Sequence, residues 1–245
     1  MKKRAAFIGT ALGVVVFLSI VAGAQTAEKW VERGVEQYYA GEYEAAAESF
    51  THAIEIDPTN DVAYNGRGAS YKRLGKDEMA VSDFTKAIEL NPEYVKPYYN
   101  RGDLYEILGR YDEAIADFTR VFELDPERAY GINSRAWVYY KMGDYDKAME
   151  DVAVALSLEP DDAGSLDTRA NIYRVLGRYD EAMADIERAI EAAPDYYWAY
   201  YSRGLIYDEL GKTGEARADF EYSCENGEVD ACDALEKLGK ERSDG

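Results

Sequence analysis

The sequence predicts an all-α protein built from six copies of one helix-turn-helix unit, followed by a short capping helix. A nine-residue string, RYDEAIADF at 110–118, returns as RYDEAMADI at 178–186. A step of 34 residues, half the distance between these strings, finds a related string in every part of the chain from residue 27 to residue 230. Within each step, apolar residues recur at helical spacing. A fixed period of this length is typical of arrays in which each copy packs on the next.

The six copies follow one another without insertion or deletion. They occupy residues 27–60, 61–94, 95–128, 129–162, 163–196 and 197–230. One helical hairpin of this size cannot bury its own apolar face, whereas a stack of copies buries a continuous one. Each copy therefore needs the same contacts with its neighbours, which explains why the sequence repeats.

The first helix of each copy is expected to end at a recurring glycine, because glycine adopts the left-handed conformation of a helix cap without a steric penalty. These glycines are Gly41, Gly75, Gly109, Gly143, Gly177 and Gly211. A small residue lies seven positions before each glycine, where a larger side chain would push two crossing helices apart. These small residues are Gly34, Gly68, Gly102, Ala136, Ala170 and Gly204.

The second helix of each copy carries an alanine five positions after the glycine, and in the first five copies it ends before a proline. The alanines are Ala46, Ala80, Ala114, Ala148, Ala182 and Ala216. Proline cannot continue a helix, so it marks the start of the next connection. The prolines are Pro58, Pro92, Pro126, Pro160 and Pro194.

Arginine and aspartate form a second set of recurring positions. The arginines, one on each first helix, are Arg33, Arg67, Arg101, Arg135, Arg169 and Arg203. Sixteen residues after the last five of them come Asp83, Asp117, Asp151, Asp185 and Asp219, on the second helices. A charge used by every copy serves the stack better than a ligand, so we expect ion pairs between helices, within or between copies. A row of charges for a ligand is the alternative.

The sixth copy lacks the closing proline, since Glu228 takes its place. Residues 229–240, VDACDALEKLGK, predict one further amphipathic helix with Val229, Ala231, Cys232, Leu235 and Leu238 on its inner side. A solenoid needs such a helix to cover its last open surface. Residues 241–245 are expected to form a disordered tail.

Residues 1–24 predict an export signal. The three positive charges of MKKR precede an uncharged run from Ala5 to Ala24 that ends in Ala-Gly-Ala, as in a cleaved signal peptide. The run is 20 residues long, so an uncleaved membrane anchor is the alternative. In either case the basic cluster stays inside and the rest of the chain faces away from the cytosol. The predicted location is periplasmic or secreted, with anchoring by an uncleaved N-terminal helix as the alternative.

The formal net charge of −20 excludes several classes of partner. Binding nucleic acid or an anionic membrane surface requires clustered Lys and Arg. A basic protein partner is permitted but not required. The sequence also has no catalytic residue set, no phosphate-binding glycine loop and no calcium loop. Its one histidine, His52, is expected to be an exposed helix residue, so neither enzymatic activity nor a cofactor or metal is predicted.

The order of small residue, tyrosine, glycine, alanine, phenylalanine and proline within 34 residues resembles the tetratricopeptide repeat (TPR). The resemblance covers 204 of 245 residues. It implies an α-solenoid of six TPR units in a right-handed superhelix, closed by the C-terminal capping helix. It further implies that the first helices line a concave groove and that the protein holds other proteins or peptides.

The end of the array resembles a related family. SCENGEVDAC at 223–232 is similar to Sel1-like repeats, in which cysteines eight residues apart bridge consecutive helices. This resemblance implies a disulfide between Cys224 and Cys232, and an even number of cysteines in an exported protein agrees with it. Two buried free thiols are the alternative.

The resemblance implies that the fifth, ninth and twelfth positions of the first helices face the groove. These positions hold amides, which bond a peptide backbone in both directions, aromatic anchors and charges of both signs. The predicted partner-binding residues are Asn65, Lys72, Tyr99, Asp103, Asn133, Trp137, Tyr140, Asn171, Arg174 and Tyr201. Packing of several of these aromatic rings on neighbouring helices is the alternative.

Some TPR proteins grip a C-terminal carboxylate with Lys, Asn and Arg at such positions. Val31, Val35, Ala69 and Asp103 depart from that pattern, so a carboxylate clamp is not predicted. The sequence therefore favours a non-catalytic interaction scaffold of the cell envelope that binds a peptide or protein segment in the groove. The alternative is a structural scaffold that assembles with copies of itself, and the oligomeric state is left open.

Overall fold

The computed structural model describes residues 27–241, and all regular structure in that range is α-helical. Thirteen helices follow one another there through short turns. The predicted fold of consecutive helix-turn-helix units is confirmed. The predicted signal segment, residues 1–24, lies outside the described residues, as do residues 242–245 of the predicted tail.

The chain divides into two compact units, the first ending at Leu108 and the second beginning at Gly109. In the first unit, α1 covers 27–39 and is followed by α2 (Tyr43–Ile56), α3 (Asp61–Arg73), α4 (Asp77–Leu90) and α5 (Val95–Ile107). The second unit contains α6 (Tyr111–Leu124), α7 (Ala129–Met142), α8 (Tyr145–Leu158), α9 (Ala163–Val175), α10 (Tyr179–Ala192), α11 (Tyr197–Glu209), α12 (Thr213–Glu225) and α13 (Val229–Glu241).

The recurring glycines end the first helices as expected. All six have a positive φ, between 66° and 79°, a conformation that favours glycine. After Gly143, the N–H of Asp144 donates to the carbonyl oxygen of Tyr139 at 2.9 Å and so satisfies a carbonyl at the helix end. The second helices α2, α4, α6, α8 and α10 each end two residues before the recurring proline.

The small residues mark close helix crossings, and their size matches that of the side chain opposite. A Cβ added to Gly204 would lie 2.5 Å from the ring of Phe220, and one added to Gly68 would lie 2.8 Å from the ring of Phe84. In the fifth copy, alanine replaces the glycine and isoleucine replaces the phenylalanine, and Ala170 and Ile186 belong to one buried cluster. The difference between Phe and Ile in the duplicated strings thus follows from packing.

The recurring Arg–Asp positions form ion pairs in the four cases in which both members lie in one unit. In the fourth copy, Arg135 Nε and Nη2 donate to the two carboxylate oxygens of Asp151 at 2.7 and 2.8 Å. Its third nitrogen, Nη1, donates to Thr119 Oγ1 on the preceding second helix at 3.0 Å. The arginine therefore ties together three helices, within and between copies. The other three pairs are Arg67–Asp83, Arg169–Asp185 and Arg203–Asp219.

Helix α13 covers the end of the array. Leu238 is buried with Ala216 and Phe220 of α12, which is the contact expected of a capping helix. The prediction that Val229 lies on the inner side is wrong, because it is the first residue of α13 and its side chain is 70% exposed. The sulfur atoms of Cys224 and Cys232 lie 2.02 Å apart, at disulfide distance, where they would tie α12 to α13.

Candidate partner-binding surface

The first helices of the second unit lie side by side, because α9 packs against both α7 and α11. Their variable positions therefore come together on one surface, although they are far apart in sequence. We call this surface the first-helix face and define it by Trp137, Tyr140, Arg174 and Tyr201. All four side chains are partly exposed.

An aromatic pair dominates the α7 part of the first-helix face. Trp137 and Tyr140 are one helical turn apart, and their rings stack with centroids 5.0 Å apart and an interplanar angle of 27°. Tyr140 also packs against Tyr145 of α8, with ring centroids 5.9 Å apart. The pair is thus held against α8 through Tyr140, while both side chains remain partly exposed. Large, ordered and half-buried rings are the side chains that most often anchor a protein partner.

Arg174 of α9 bridges the neighbouring first helices. Its Nη2 donates to Tyr140 Oη at 3.3 Å, and its Nη1 forms an ion pair with Glu209 of α11. The Nε is buried and has no hydrogen-bond partner among the described residues. Most of the positive charge of Arg174 is therefore already matched within the protein.

A buried polar network lies beneath Arg174. Asn171 Nδ2 donates to Ser202 Oγ at 2.8 Å and to the carbonyl and carboxylate oxygens of Asp167 at 3.0 and 3.2 Å. Burial raises the pKa of Asp167 to about 6, against the opposing effects of its bond with Ser202, the charge of Arg174 and its bond with Asn171. This network holds α9 to α11 and places an ionisable group behind the first-helix face.

Asn133 lies on α7 one turn before Trp137. Its side chain is partly buried, and its Oδ1 accepts no hydrogen bond from the described residues. A buried acceptor without a donor is uncommon, and in proteins such groups usually find water or a ligand. Asn133 therefore adds an unmatched acceptor next to the aromatic pair.

Tyr201 occupies the α11 end of the first-helix face. Its ring packs against Phe220 with the centroids 5.9 Å apart. Burial raises the pKa of its phenol, and the carboxylates of Asp230 and Glu228 raise it further. The negative potential of α13 and the turn before it therefore reaches this end of the face.

The first unit uses its predicted residues mainly to join α3 to α5. Asn65 is buried, accepts a hydrogen bond from Asn100 Nδ2 at 3.0 Å and lies 3.4 Å from Tyr94 Oη. Lys72 and Asp103 form an ion pair with each other. The remaining predicted residue of this unit, Tyr99, is half-buried on α5.

The predicted set thus contains the partly exposed residues of the first-helix face, one ion pair between Lys72 and Asp103, and two buried asparagines. Asn65 and Asn171 are buried. Contact between a partner and either of these two asparagines stays a prediction. Sequence reasoning did not find Glu209 as the partner of Arg174 or Ser202 as the partner of Asn171. No periodic signal could reveal them, since these pairings occur at one place in the array.

Two further observations concern other kinds of site. Among residues 27–241, no three His, Cys, Asp or Glu side chains come together in an arrangement that could hold a metal ion. None of the helices described for this chain is long and apolar enough to cross a membrane. His52 is exposed as expected, with Nδ1 3.1 Å from Glu55 Oε2 and its ring 4.6 Å from that of Trp30.

Family models match nearly the whole described array. Models described as tetratricopeptide repeat match residues 62–94, 95–128, 129–162 and 199–225. A model described as TPR repeat matches residues 34–75 and 170–211. A search of curated protein sequences gave no significant match.

Solved structures of TPR proteins have the same fold. A tetratricopeptide repeat protein from Parabacteroides merdae is 27% identical, with a TM-score of 0.76, over 86% of this chain and 83% of its own. A thermophilic TPR protein from Thermus thermophilus is 25% identical, with a TM-score of 0.60, over 75% of this chain and 98% of its own. YrrB, described as a TPR protein with an unusual peptide-binding site, is 21% identical, with a TM-score of 0.51, over 78% and 99% respectively.

Proteins of this family are generally non-catalytic scaffolds that bind protein or peptide partners. The residues that these family models match are the residues that form the consecutive helical hairpins. This chain belongs to the tetratricopeptide repeat family.

Proposed function

We propose that this protein is an interaction scaffold that binds an extended segment of a partner protein on the first-helix face. The observation that carries the proposal is the stacked pair of Trp137 and Tyr140, whose side chains are half-buried and remain partly exposed. Stacked rings offer apolar area at little entropic cost.

The charges on this face favour a segment without an anionic terminus. Arg174, the cation of this face, is already paired with Glu209. Capture of a free carboxylate by Arg174 would have to break this pair and leave the carboxylate of Glu209 unmatched. The proposal therefore extends the prediction from sequence that this protein has no carboxylate clamp.

The proposal places the protein in the cell envelope, either free after cleavage or anchored by its N-terminal segment. The sequence of residues 1–24 supports this location. The distance between the sulfurs of Cys224 and Cys232 supports a disulfide, which would agree with an oxidising compartment. Intact-mass measurement of the protein after thiol alkylation without reductant tests both points. A chain that still begins with Met1 would contradict cleavage, and alkylation of both cysteines would contradict the disulfide.

The binding proposal is tested by crosslinking in cells and then by affinity measurement. A photo-crosslinking amino acid placed at Tyr140 identifies the partner, and the purified partner is then titrated with wild-type protein and with Trp137→Ala/Tyr140→Ala. Loss of two anchors is expected to weaken binding about 30-fold or more, which corresponds to about 2 kcal/mol.

The matched control removes the same two residue types from other surfaces. Trp198→Ala/Tyr39→Ala changes side chains that are 44% and 84% exposed and lie outside the first-helix face. The control should bind the partner as the wild type does. Equal affinity of the wild type and the Trp137→Ala/Tyr140→Ala variant would overturn the proposal. Light scattering on the same preparations tests the alternative of self-assembly, which predicts a mass that rises with concentration.

A further inference from the structure

A cavity of about 290 Å³ lies between α11 and α13 at the end of the first-helix face. Its volume is near the lower limit of ordinary ligand pockets, which begin at roughly 300 Å³ and take a small molecule or a side chain. Its apolar walls are contributed by Tyr201, Leu205, Phe220, Ala234 and Leu238. Tyr201, Phe220 and Leu238 are also packed together in one cluster, so these walls are ordered before anything binds.

The rim of this cavity is acidic. Three exposed aspartates line it, Asp208 from α11 with Asp230 and Asp233 from α13, and the one cation in the lining is Lys237. None of the three carboxylates forms an ion pair or accepts a side-chain hydrogen bond from the described residues. Three negative charges and one positive charge leave an unmatched charge of −2 around an apolar floor. The raised pKa of Tyr201 has the same electrostatic origin in part, because Asp230 contributes to it.

We propose that this cavity, named here the end cavity, receives an arginine or lysine side chain of the bound partner segment. Such a side chain combines a long apolar stem with a charged end. The stem would pack against Tyr201 and Leu205, while the charged end would reach the carboxylates of the rim. Arginine fits best, because its planar guanidinium bonds carboxylates through several donors and stacks on aromatic rings.

The end cavity is continuous with the first-helix face through Tyr201. This residue lines the cavity and also lies within electrostatic range of Arg174 and Tyr140. A segment that crosses Trp137 and Tyr140 would therefore come to the end cavity next along the same surface. The inference rests on the proposed function and adds the partner's chemistry, namely a basic residue beyond the part that covers the aromatic pair.

Charge complementarity distinguishes this occupant from others. An acidic side chain would meet a rim of the same sign, and an apolar side chain would cover carboxylates without pairing them. The described carboxylates do not come together in a metal-binding arrangement, which favours an organic cation over a divalent metal.

The test uses two blocked peptides that differ only in charge. Acetyl-Ala-Leu-Arg-Leu-Ala-amide is compared with the same peptide carrying citrulline, a neutral side chain of the same shape, by NMR titration of the full-length protein. Amide resonances of Tyr201, Leu205 and Ala234 report on the end cavity. The arginine peptide is expected to bind on the order of tenfold more tightly than the citrulline peptide, and raised salt should reduce the difference.

Three variants separate the end cavity from the overall charge. Asp208→Asn/Asp230→Asn/Asp233→Asn should abolish the preference for arginine over citrulline. The matched control changes the net charge equally at three exposed glutamates of α10 and α12 and should keep the preference. It is Glu187→Gln/Glu191→Gln/Glu221→Gln. Lys237→Gln removes the positive charge of the rim instead of the negative ones. This variant should bind the arginine peptide about twofold to threefold more tightly, because a repelling charge is removed.

The outcomes are decisive in each direction. Equal binding of both peptides, absence of binding at millimolar concentration, or an equal loss in the matched control would each overturn the inference. If the partner's affinity depends on Trp137 and Tyr140 but not on the three aspartates, the proposed function stands and the end cavity has no role. If it depends on the aspartates alone, the first-helix face is not the binding surface.

Discussion

Asp167 gives the stability of the second unit a pH dependence that Asp167→Asn should remove. The residue is 6% exposed, and burial raises the pKa of its carboxyl to about 6 from an ordinary value of 3.8. Between these two pH values the folded chain retains a proton that the unfolded chain releases. The stabilising contribution is therefore complete below pH 3.8 and is lost as the pH rises through about 6.

The size of the effect follows from the two pKa values. Each pKa unit corresponds to about 1.36 kcal/mol, so the free energy of unfolding should fall by about 3 kcal/mol across this window because of Asp167 alone. Asparagine stays neutral at every pH and can still accept the hydrogen bonds from Ser202 and Asn171. The variant should therefore gain about 3 kcal/mol relative to the wild type between about pH 4 and about pH 7.5. A difference in the free energy of unfolding that stays the same at every pH would report altered hydrogen bonding and not the titration of Asp167.

The assay is urea unfolding followed by circular dichroism at several pH values from about 4 to about 7.5. Because repeat arrays can unfold in steps, hydrogen exchange of the α9 and α11 amides gives a local measure of the same change. The control is Asp195→Asn, an exposed residue whose replacement should change stability by less than about 0.5 kcal/mol at any pH. Parallel pH profiles for the wild type and Asp167→Asn would refute the reasoning, as would an NMR titration that places the pKa of Asp167 near its ordinary value.

Three further predictions concern packing, charge and covalent structure, and each is measured by urea unfolding. In Gly204→Ala, overpacking should lower the free energy of unfolding by about 1–3 kcal/mol, and the better helix propensity of alanine should offset about 1 kcal/mol of this loss. The substitution should become neutral or favourable in a Phe220→Ile background, and equal effects in both backgrounds would contradict size matching. Arg169→Gln leaves a buried aspartate without its bidentate partner, so a loss of about 3 kcal/mol is expected, and a loss below about 0.5 kcal/mol would show that the pair contributes little. Reduction of a Cys224–Cys232 disulfide should cost about 2.5 kcal/mol for its nine-residue loop, whereas an unchanged midpoint in reductant would count against the bond.

The sequence alone determined the all-α fold, the helix ends and the contacts that recur along the array. Gly143 and the bond between Arg135 and Asp151 are examples, because each requirement recurs at the same position in nearly every copy. A local preference that is repeated with a fixed period becomes clear even when one instance would be weak. Residue 186 is Ile where the other string has Phe, and it packs against Ala170, which takes the place of glycine in that copy.

Only the tertiary structure decided which variable side chains face outward. Asn171 and Asn133 occupy comparable first helices, yet Asn171 is buried against Ser202 while Asn133 keeps an unmatched oxygen. The pairing of Arg174 with Glu209 and the end cavity between α11 and α13 were equally absent from the pattern. The physical reason is that these environments are built from neighbours that differ from copy to copy. Periodicity fixes where a side chain stands on its helix, but the adjacent helix fixes whether that side chain is buried, paired or open to a partner.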